Sequence, residues 1–167
     1  MNEIWELSDG QRLRARTPDA SDVAALRNFF DGLSPASRRQ RFMGGISRVS
    51  DAFVAGLLRL DAEHDAALVL ENHERIVASA RFDSDADHAG CEFALAVDDT
   101  LAGHGLGERL MRWLITTATD RGYRSIHGEV LSDNARMLRL MERLGFSHHL
   151  EAEDRRVTWV SKALPAL

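Results

Sequence analysis

The sequence has few residues of several reactive types. Its single cysteine, Cys91, excludes an internal disulfide bond and a thiolate metal cluster. No apolar run approaches the length of a membrane span, and the first residues are acidic where a signal peptide would be basic. Acidic residues outnumber basic ones by 26 to 21, and the resulting net charge of -5 is opposite in sign to that of a nucleic-acid-binding surface. We therefore expect a cytoplasmic protein with neither a nucleic-acid nor a membrane partner.

Hydrophobic patterning predicts one domain built on a sheet. The chain has 167 residues, 44% of them hydrophobic, without an internal repeat or a dividing linker, so residues 1–167 are predicted to form a single domain. Short apolar runs between turn residues indicate strands, and apolar residues at helical spacing indicate helices. The expected fold class is α/β of the α+β type, with helices flanking a central mixed sheet. The predicted strands are 4–7, 11–15, 66–70, 76–82, 91–97, 125–131, 146–150 and 155–160, and the predicted helices are 22–30, 35–42, 51–60, 106–120 and 134–144.

The centre of this pattern is a strand, a glycine turn and a helix. After the strand 91–97, glycines alternate at Gly103, Gly105 and Gly107, and helical periodicity begins at once. Glycines permit close approach of a ligand to the backbone, and a helix N-terminus favours anions, so a pyrophosphate would fit here. No Lys-Ser/Thr follows as in a Walker loop, and the third glycine of the dinucleotide fingerprint is missing. A tight turn before a packed helix is the alternative interpretation.

From Val97 to Phe146 the sequence resembles the GNAT superfamily of acetyl-CoA-dependent N-acetyltransferases. The family pattern Gln/Arg-x-x-Gly-x-Gly/Ala falls on Ala102-x-x-Gly105-x-Gly107. A second family element is a strand followed by an asparagine, a helix and Leu-Gly-Phe. It falls on residues 125–131, Asn134 and residues 144–146. A closer resemblance, over residues 34–160, is to the acetyltransferase domain of bacterial protein-lysine acetyltransferases. It includes Ser-Pro-x-Ser-Arg-x-x-Arg-Phe at residues 34–42. Ala102 departs from the family's Gln or Arg.

The resemblance implies a GNAT fold with a mostly antiparallel sheet, whose strands splay apart where acetyl-CoA binds. Backbone amides of the strand would pair with pantetheine, the glycine turn would hold the phosphates, and the asparagine would bond the pantetheine arm. The implied cofactor-binding residues are Leu95, Ala96, Val97, Ala102, Gly103, His104, Gly105, Leu106, Gly107, Glu108, Asn134 and Met141. Asn134 is also a natural helix cap, and His104 is as well explained as an exposed loop residue. No metal is expected.

Glu92 is the candidate catalytic base. An amine must lose its proton before it attacks a thioester, and a carboxylate within an apolar strand requires a reason. The resemblance implies this role, because in bacterial protein-lysine acetyltransferases a glutamate at the matching position of the same strand serves as the base. The alternative is that Glu92 has no catalytic role and its side chain points to a solvent-exposed face of the sheet. Met141 stands where many relatives carry a tyrosine that protonates the leaving thiolate, and a thioether cannot donate a proton.

Other polar groups are weighed against simpler roles. Asp83, Asp85 and Asp87 alternate as in a calcium loop, but His88 and Ala94 replace the glycine and glutamate that such a loop needs. This acidic turn is instead a candidate to receive a cationic acceptor, and a solvated turn is the alternative. Adjacent histidines at 148 and 149 face opposite sides of a strand and cannot easily share a metal, and Cys91 is expected to be a core residue rather than a nucleophile. An arginine-rich rim is predicted on the N-terminal helices, formed by Arg38, Arg39, Arg41, Arg48 and Arg59.

The sequence thus predicts an acetyl-CoA-dependent N-acetyltransferase that moves an acetyl group to a primary amine by direct attack in a ternary complex. A protein lysine is the favoured acceptor, because the arginine rim would repel a polyamine and attract an acidic protein surface. Two alternatives stay open. One is acetylation of a small amine such as a polyamine, amino acid or drug, and the other is a non-catalytic acyl-CoA-binding regulatory domain. A homodimer is also left open.

Overall fold

A computed structural model describes residues 1–166, which contain eight strands, five α-helices and two short 3-10 helices. None of the helices in that range is long and apolar enough to cross a membrane. The strands are β1 (Asn2–Glu6), β2 (Arg12–Arg16), β3 (Ala66–Asn72), β4 (Arg75–Ser84), β5 (Gly90–Val97), β6 (Ser125–Leu131), β7 (Ser147–Leu150) and β8 (Val157–Ala163). The helices are α1 (Val23–Gly32), α2 (Pro35–Arg41), α3 (Asp51–Leu57), α4 (Leu106–Asp120) and α5 (Ala135–Arg143).

The strands form one open sheet in the order β1-β2-β3-β4-β5-β6-β8-β7. Every neighbouring pair is antiparallel except β5 and β6, which are parallel because α4 crosses between them. This confirms the mixed, mostly antiparallel sheet of the GNAT type. The parallel ladder is short, since it pairs only residues 90–92 with 125–127. The two strands therefore separate toward their C-terminal ends, and the predicted splay is confirmed.

Each face of β5 belongs to a different core because side chains alternate along a strand. Cys91 and Phe93 pack in the larger cluster with apolar residues of α4 and α5. Ala96 packs in the smaller cluster, which lies under α1 and α3. Glu92 has the parity of Ala96, so its side chain is on the face covered by the N-terminal helices. β5 thus carries residues of both cores and one carboxylate.

Helix α2 is tied to the segment that follows β5. The Ser34 hydroxyl accepts a hydrogen bond from Ser37 N–H (3.1 Å), which caps the helix as its sequence predicts. The backbone N–H and the hydroxyl of Ser34 both donate to Asp99 at 3.0 Å, and the Ser37 hydroxyl donates to the same carboxylate at 2.6 Å. These bonds explain the serines of the Ser-Pro-x-Ser motif, because they fix α2 beside the entrance to the glycine turn.

Several predicted boundaries, including the following three, are wrong by two or three residues. Helix α3 ends at Leu57 rather than residue 60, β4 continues to Ser84 into the predicted turn, and β8 begins only at Val157. The strand errors share one cause, since a strand extends only as far as a neighbouring strand pairs with it. β4 is extended because Asp83 and Ser84 pair with Glu92 and Cys91.

Gly128 provides a test of packing at the point where β5 and β6 separate. A Cβ added there would lie 2.8 Å from the Phe93 ring, which packs edge-on against Phe146. We expect Gly128→Ala to destabilise the fold by about 1–3 kcal/mol, because the ring has to move within a packed core. Denaturant unfolding measures this change. Gly56→Ala is the matched control, since nothing lies within 4 Å of its added Cβ, and we expect it to be neutral or stabilising by up to about 1 kcal/mol. Equal stabilities for the two variants would contradict the packing argument.

Candidate active site

A cleft with a volume of about 640 Å³ opens where β5 and β6 separate. This size is in the usual range for small-molecule sites. Its walls are α2, β5, the glycine turn, β6 and α5. Most of the residues singled out from the sequence line it: Glu92, Leu95, Ala96, Val97, Ala102, Gly103, Gly105, Leu106, Gly107, Glu108 and Asn134.

The glycine turn forms an anion-binding end of the cleft. Gly103 and Gly105 have φ values of 88° and 72°, a left-handed conformation that favours glycine. Gly105 is the N-cap of α4 and supplies no capping side chain. The first helical hydrogen bond is from Arg109 N–H to Gly105 (3.0 Å), so the amides of residues 106–108 have no acceptor within the helix. Unused amides at a helix N-terminus attract anions.

Three arginines of α5 add positive charge to the cleft wall, and sequence reasoning missed them. Arg136, Arg139 and Arg143 are exposed and line the cleft. Their spacing of three and four residues after a predicted N-cap would have placed them on one helix face. Ala102 lines the same cleft and cannot supply the polar or cationic side chain of the family pattern.

Glu108 is the acidic residue in the first turn of α4, and its charge is offset within the chain. Its carboxylate accepts hydrogen bonds from Arg112 at 3.0 and 2.8 Å and lies 3.6 Å from the guanidinium of Arg143. The hydrogen bonds from Arg112, more than any other contact, lower the pKa of Glu108. The carboxylate is therefore paired rather than directed against an incoming anion.

The middle of the cleft is an open strand edge. β5 pairs with β4 along its whole length, but within residues 1–166 its pairing with β6 ends at Glu92. The backbone groups of residues 93–97 that face β6 are consequently free to bond an extended ligand, as an added strand would. This is the position expected for Leu95, Ala96 and Val97.

Glu92 lies at the other end of the cleft, where its side chain is exposed to the cavity. Partial burial between the walls raises its pKa; the nearby charge of His127 opposes this shift, whereas Glu129, Asp83 and Asp85 reinforce it. Glu129 also lines the cleft. Sequence reasoning did not single out Glu129, because its proximity to Glu92 depends on the register of two strands that are distant in sequence.

His127 and Asp85 form a hydrogen-bonded pair near Glu92. His127 is the β6 residue paired with Glu92, and its Nε2 is 2.9 Å from both carboxylate oxygens of Asp85. The imidazole ring also stacks on Trp159, with 4.6 Å between ring centres. Its Nδ1 is buried and has no hydrogen-bond partner among the described residues. This arrangement fixes the imidazole ring close to the candidate base.

Other predicted site residues have different surroundings. The Asn134 side-chain oxygen accepts a hydrogen bond from Met137 N–H at 3.2 Å, so the residue caps α5 while it lines the cleft. Met141 is fully buried in the larger core, and His104 turns toward Asp9 at 3.6 Å. Neither side chain lines the cleft. Cys91 is buried, and burial raises the pKa of its thiol to about 12, so it is a core residue.

The carboxylates of the predicted acidic turn accept contacts from inside the chain. Arg81 donates to Asp83, Asp85 contacts His127, and Asp87 accepts a hydrogen bond from Ala89 N–H. None of these three carboxylates lines the cleft. Other carboxylates line the cleft, among them Glu92 and Glu129, so the structure does not support this turn as the receiver of a cationic acceptor.

The predicted arginine rim also divides into different roles. Arg38 donates to the carbonyl groups of Asp31, Leu33 and Ser47 at 2.9–3.0 Å, and thereby closes the C-terminal end of α1 rather than forming part of a rim. Arg39 reaches across to Asp133, 3.1 Å away, in an exposed ion pair. Arg41 is half-buried and lines the cleft, whereas Arg48 and Arg59 are exposed away from it.

Comparison with known proteins assigns the family. The sequence model of the acetyltransferase (GNAT) family matches residues 34–146. The chain is 32% identical to the acetyltransferase PA5475 of Pseudomonas aeruginosa over 155 residues, which are 90% of this chain and 83% of that protein. The range 34–146 matched by the family model includes every residue that lines the cleft.

Solved structures show the same fold. The GNAT domain of S. lividans PAT superposes with a TM-score of 0.87 at 23% identity, covering 98% of this chain and 97% of that domain. The acetyltransferase yncA of Salmonella typhimurium, solved with its cofactor acetyl-CoA, gives a TM-score of 0.75 at 20% identity over 94% and 96% of the two chains. Together with the sequence matches, the splayed sheet and the glycine turn show that this chain belongs to the GNAT family of acetyltransferases.

Proposed function

We propose that residues 1–167 act as one cytoplasmic domain that transfers the acetyl group of acetyl-CoA to a primary amine, most favourably the side chain of a protein lysine. The observation that carries this proposal is one continuous cleft. It joins an uncapped helix N-terminus, an open strand edge and the carboxylate of Glu92. These three features suit the phosphates, the amides and the reacting end of one extended donor and its acceptor.

The described residues fit acetyl-CoA in chemistry and in order. The amides of residues 106–108 and the arginines of α5 would hold the phosphates, with the helix dipole adding to the attraction. The edge of β5 would bond the pantetheine amides, and Asn134 could donate through its amide nitrogen because its oxygen is used in the cap. Glu92 and Val97 are about 16 Å apart along the strand. The acetyl group would therefore lie well away from the phosphates and near the carboxylate.

Glu92 would act as the general base. A lysine amine has a solution pKa of about 10.4 and is protonated near neutral pH, so it must lose a proton before its nitrogen attacks the thioester carbonyl. The carboxylate accepts this proton directly or through water. The carbon–sulfur bond then breaks, and the sulfur leaves as a thiolate or takes a proton from water. Met141 can play no part in that step, because it is buried and has no proton to give.

A lysine acceptor suits the shape and charge of the open end. Glu92 and Glu129 present negative charge inside a cleft that opens to solvent, so a long side chain ending in an ammonium group could enter from a protein surface. The fold shared with the GNAT domain of S. lividans PAT is compatible with this choice.

Replacement of Glu92 tests the base. We expect Glu92→Gln to keep acetyl-CoA affinity and to lower kcat about 100- to 10,000-fold, the usual contribution of general-base assistance. The pKa of Glu92 is raised, so the wild-type rate should fall as pH drops through a value above the ordinary 4.5, where the carboxylate becomes protonated. The variant should lack this acidic limb and recover part of its rate at high pH. Steady-state kinetics across pH measure both effects.

Glu153→Gln is the control for that experiment, because Glu153 is exposed and does not line the cleft. We expect it to retain the wild-type rate and pH profile. If Glu92→Gln were as active as this control at neutral pH, another group or water would take the proton.

Replacement of Gly105 tests the phosphate end. A valine at φ 72° would be strained and would displace the amides that follow, so we expect Gly105→Val to weaken acetyl-CoA binding roughly 10- to 100-fold, the loss of one or two charge-assisted hydrogen bonds. Calorimetric titration measures the affinity. Gly10→Val is the matched control: Gly10 has φ 87° in the turn between β1 and β2, and its added Cβ is likewise free of contacts. It should lose comparable stability and keep its affinity. An absence of binding by the wild-type protein at high micromolar acetyl-CoA would refute the proposal.

A lysate screen with labelled acetyl-CoA tests the acceptor. We expect labelled protein bands that disappear with Glu92→Gln. Lys162 is the only lysine of the chain, so self-labelling should add little background. Efficient acetylation of spermidine or a free amino acid without labelled proteins would replace the lysine proposal with a small-amine acceptor.

A further inference from the structure

Arg41 is a charged side chain in the wall of the cleft that the mechanism above does not use. It is the last residue of α2, is half-buried and lines the cavity. Its guanidinium carbon lies 4.9 Å from the centre of the Phe42 ring and 5.5 Å from that of Phe30. Stacking on two aromatic rings restrains the guanidinium and leaves its N–H donors available at the edge.

No internal anion neutralises Arg41. Within residues 1–166 its guanidinium has neither an ion-pair partner nor a hydrogen-bond acceptor. The charged side chains that act on it are Arg81 and Asp83, and Asp83 is already bound by Arg81, which also donates to the Leu57 carbonyl at 2.6 Å. Burial and the nearby Arg81 lower the pKa of Arg41 to about 10, so it is still a cation at neutral pH. A partly desolvated cation without a partner is an incomplete ion pair.

The strand register places Arg41 at the acceptor end. Arg81 and Asp83 of β4 pair with Ala94 and Glu92 of β5, and directly paired residues share one face of the sheet. Arg41 therefore lies over the part of the sheet that carries Glu92. The glycine turn follows the opposite end of β5, after Val97, so Glu92 and the glycine turn lie toward opposite ends of this strand.

We propose that Arg41 binds a carboxylate of the acceptor, so that the preferred substrate is an amine that carries a carboxylate close to it. The inference rests on the proposed acetyl transfer to a primary amine and deepens it. For a protein substrate, the preferred site is a lysine next to an aspartate or glutamate. The planar guanidinium matches a carboxylate in a bidentate arrangement, which a lysine at this position could not reproduce. The same carboxylate chemistry would be met by the α-carboxylate of a free amino acid.

Two peptides that differ in one charge test the preference. Each contains a single lysine with a blocked N-terminus, followed by aspartate in one peptide and by asparagine in the other. We expect the wild-type protein to acetylate the aspartate peptide with a kcat/KM about 10- to 100-fold higher, the range for a charge-assisted hydrogen-bonded pair. Arg41→Gln should bring the two peptides to the same rate, and Arg41→Lys should keep only part of the difference.

Two controls separate recognition from damage to the fold. Arg48→Gln removes an exposed arginine that does not line the cleft, and it should keep the full peptide preference. Calorimetry with the Glu92→Gln protein and CoA measures peptide binding without turnover, and adding Arg41→Gln should abolish the difference in affinity between the peptides. Unfolding curves check that both proteins are folded.

The outcomes distinguish this inference from the proposed function. Equal rates for both peptides with the wild-type protein would overturn the role of Arg41 and leave lysine acetylation standing. A raised KM for acetyl-CoA in Arg41→Gln without a change in peptide preference would also overturn it, by assigning Arg41 to the donor. The protein could instead acetylate free amino acids but neither peptide, with a KM for the amino acid that rises in Arg41→Gln. That result would support the contact between Arg41 and a carboxylate and would refute a protein lysine as the acceptor. Acetylation of only carboxylate-free amines would refute the inference while acetyl transfer stood.

Discussion

The early end of pairing between β5 and β6 is the constraint on which the rest of the site depends. Three residues of each strand pair, and from Phe93 onward the edge of β5 faces a cavity. At this point the Phe93 ring lies against Gly128, where even a methyl group would collide with it. A continuous sheet would have used every backbone group of β5 internally. The splay leaves these groups for a ligand and places Glu92, the last paired residue, at the end of the opening.

Charge is distributed along the cleft in the order that the proposed reaction requires. The N-terminus of α4 lies at one end, where Arg143 is 3.6 Å from Glu108, and Glu92 and Glu129 line the same cleft at the end of the β5–β6 pairing. Most other charges near the site are paired inside the chain, such as Arg81 with Asp83 and Asp85 with His127. Because internal pairs cancel, the few groups that are left determine what the cleft attracts.

The motif at residues 34–42 illustrates how one short segment serves both the fold and the site. Ser34 and Ser37 attach α2 to Asp99, and Arg38 satisfies carbonyl groups at the end of α1. These contacts set the position of α2 over β5. Arg41, at the end of the same helix, is thereby held in the wall of the cleft that Glu92 also lines, without an ion-pair partner among residues 1–166. The structural bonds of the first residues thus determine where the last one can act.

The sequence by itself determined the features that depend on neighbours along the chain. The glycine turn, the N-terminus of α4, the Ser34 and Asn134 caps and the strand containing Glu92 follow from spacing, because helical periodicity, capping and glycine conformation are local properties. Only the tertiary structure decided which polar side chains are paired and which face the cleft. It brought in Glu129 and the arginines of α5, turned His104 and Met141 away, and separated Arg38 from Arg41 although they lie one helical turn apart. The physical reason is that each of these outcomes depends on strand register and on partners distant in sequence, which no local pattern of residues encodes.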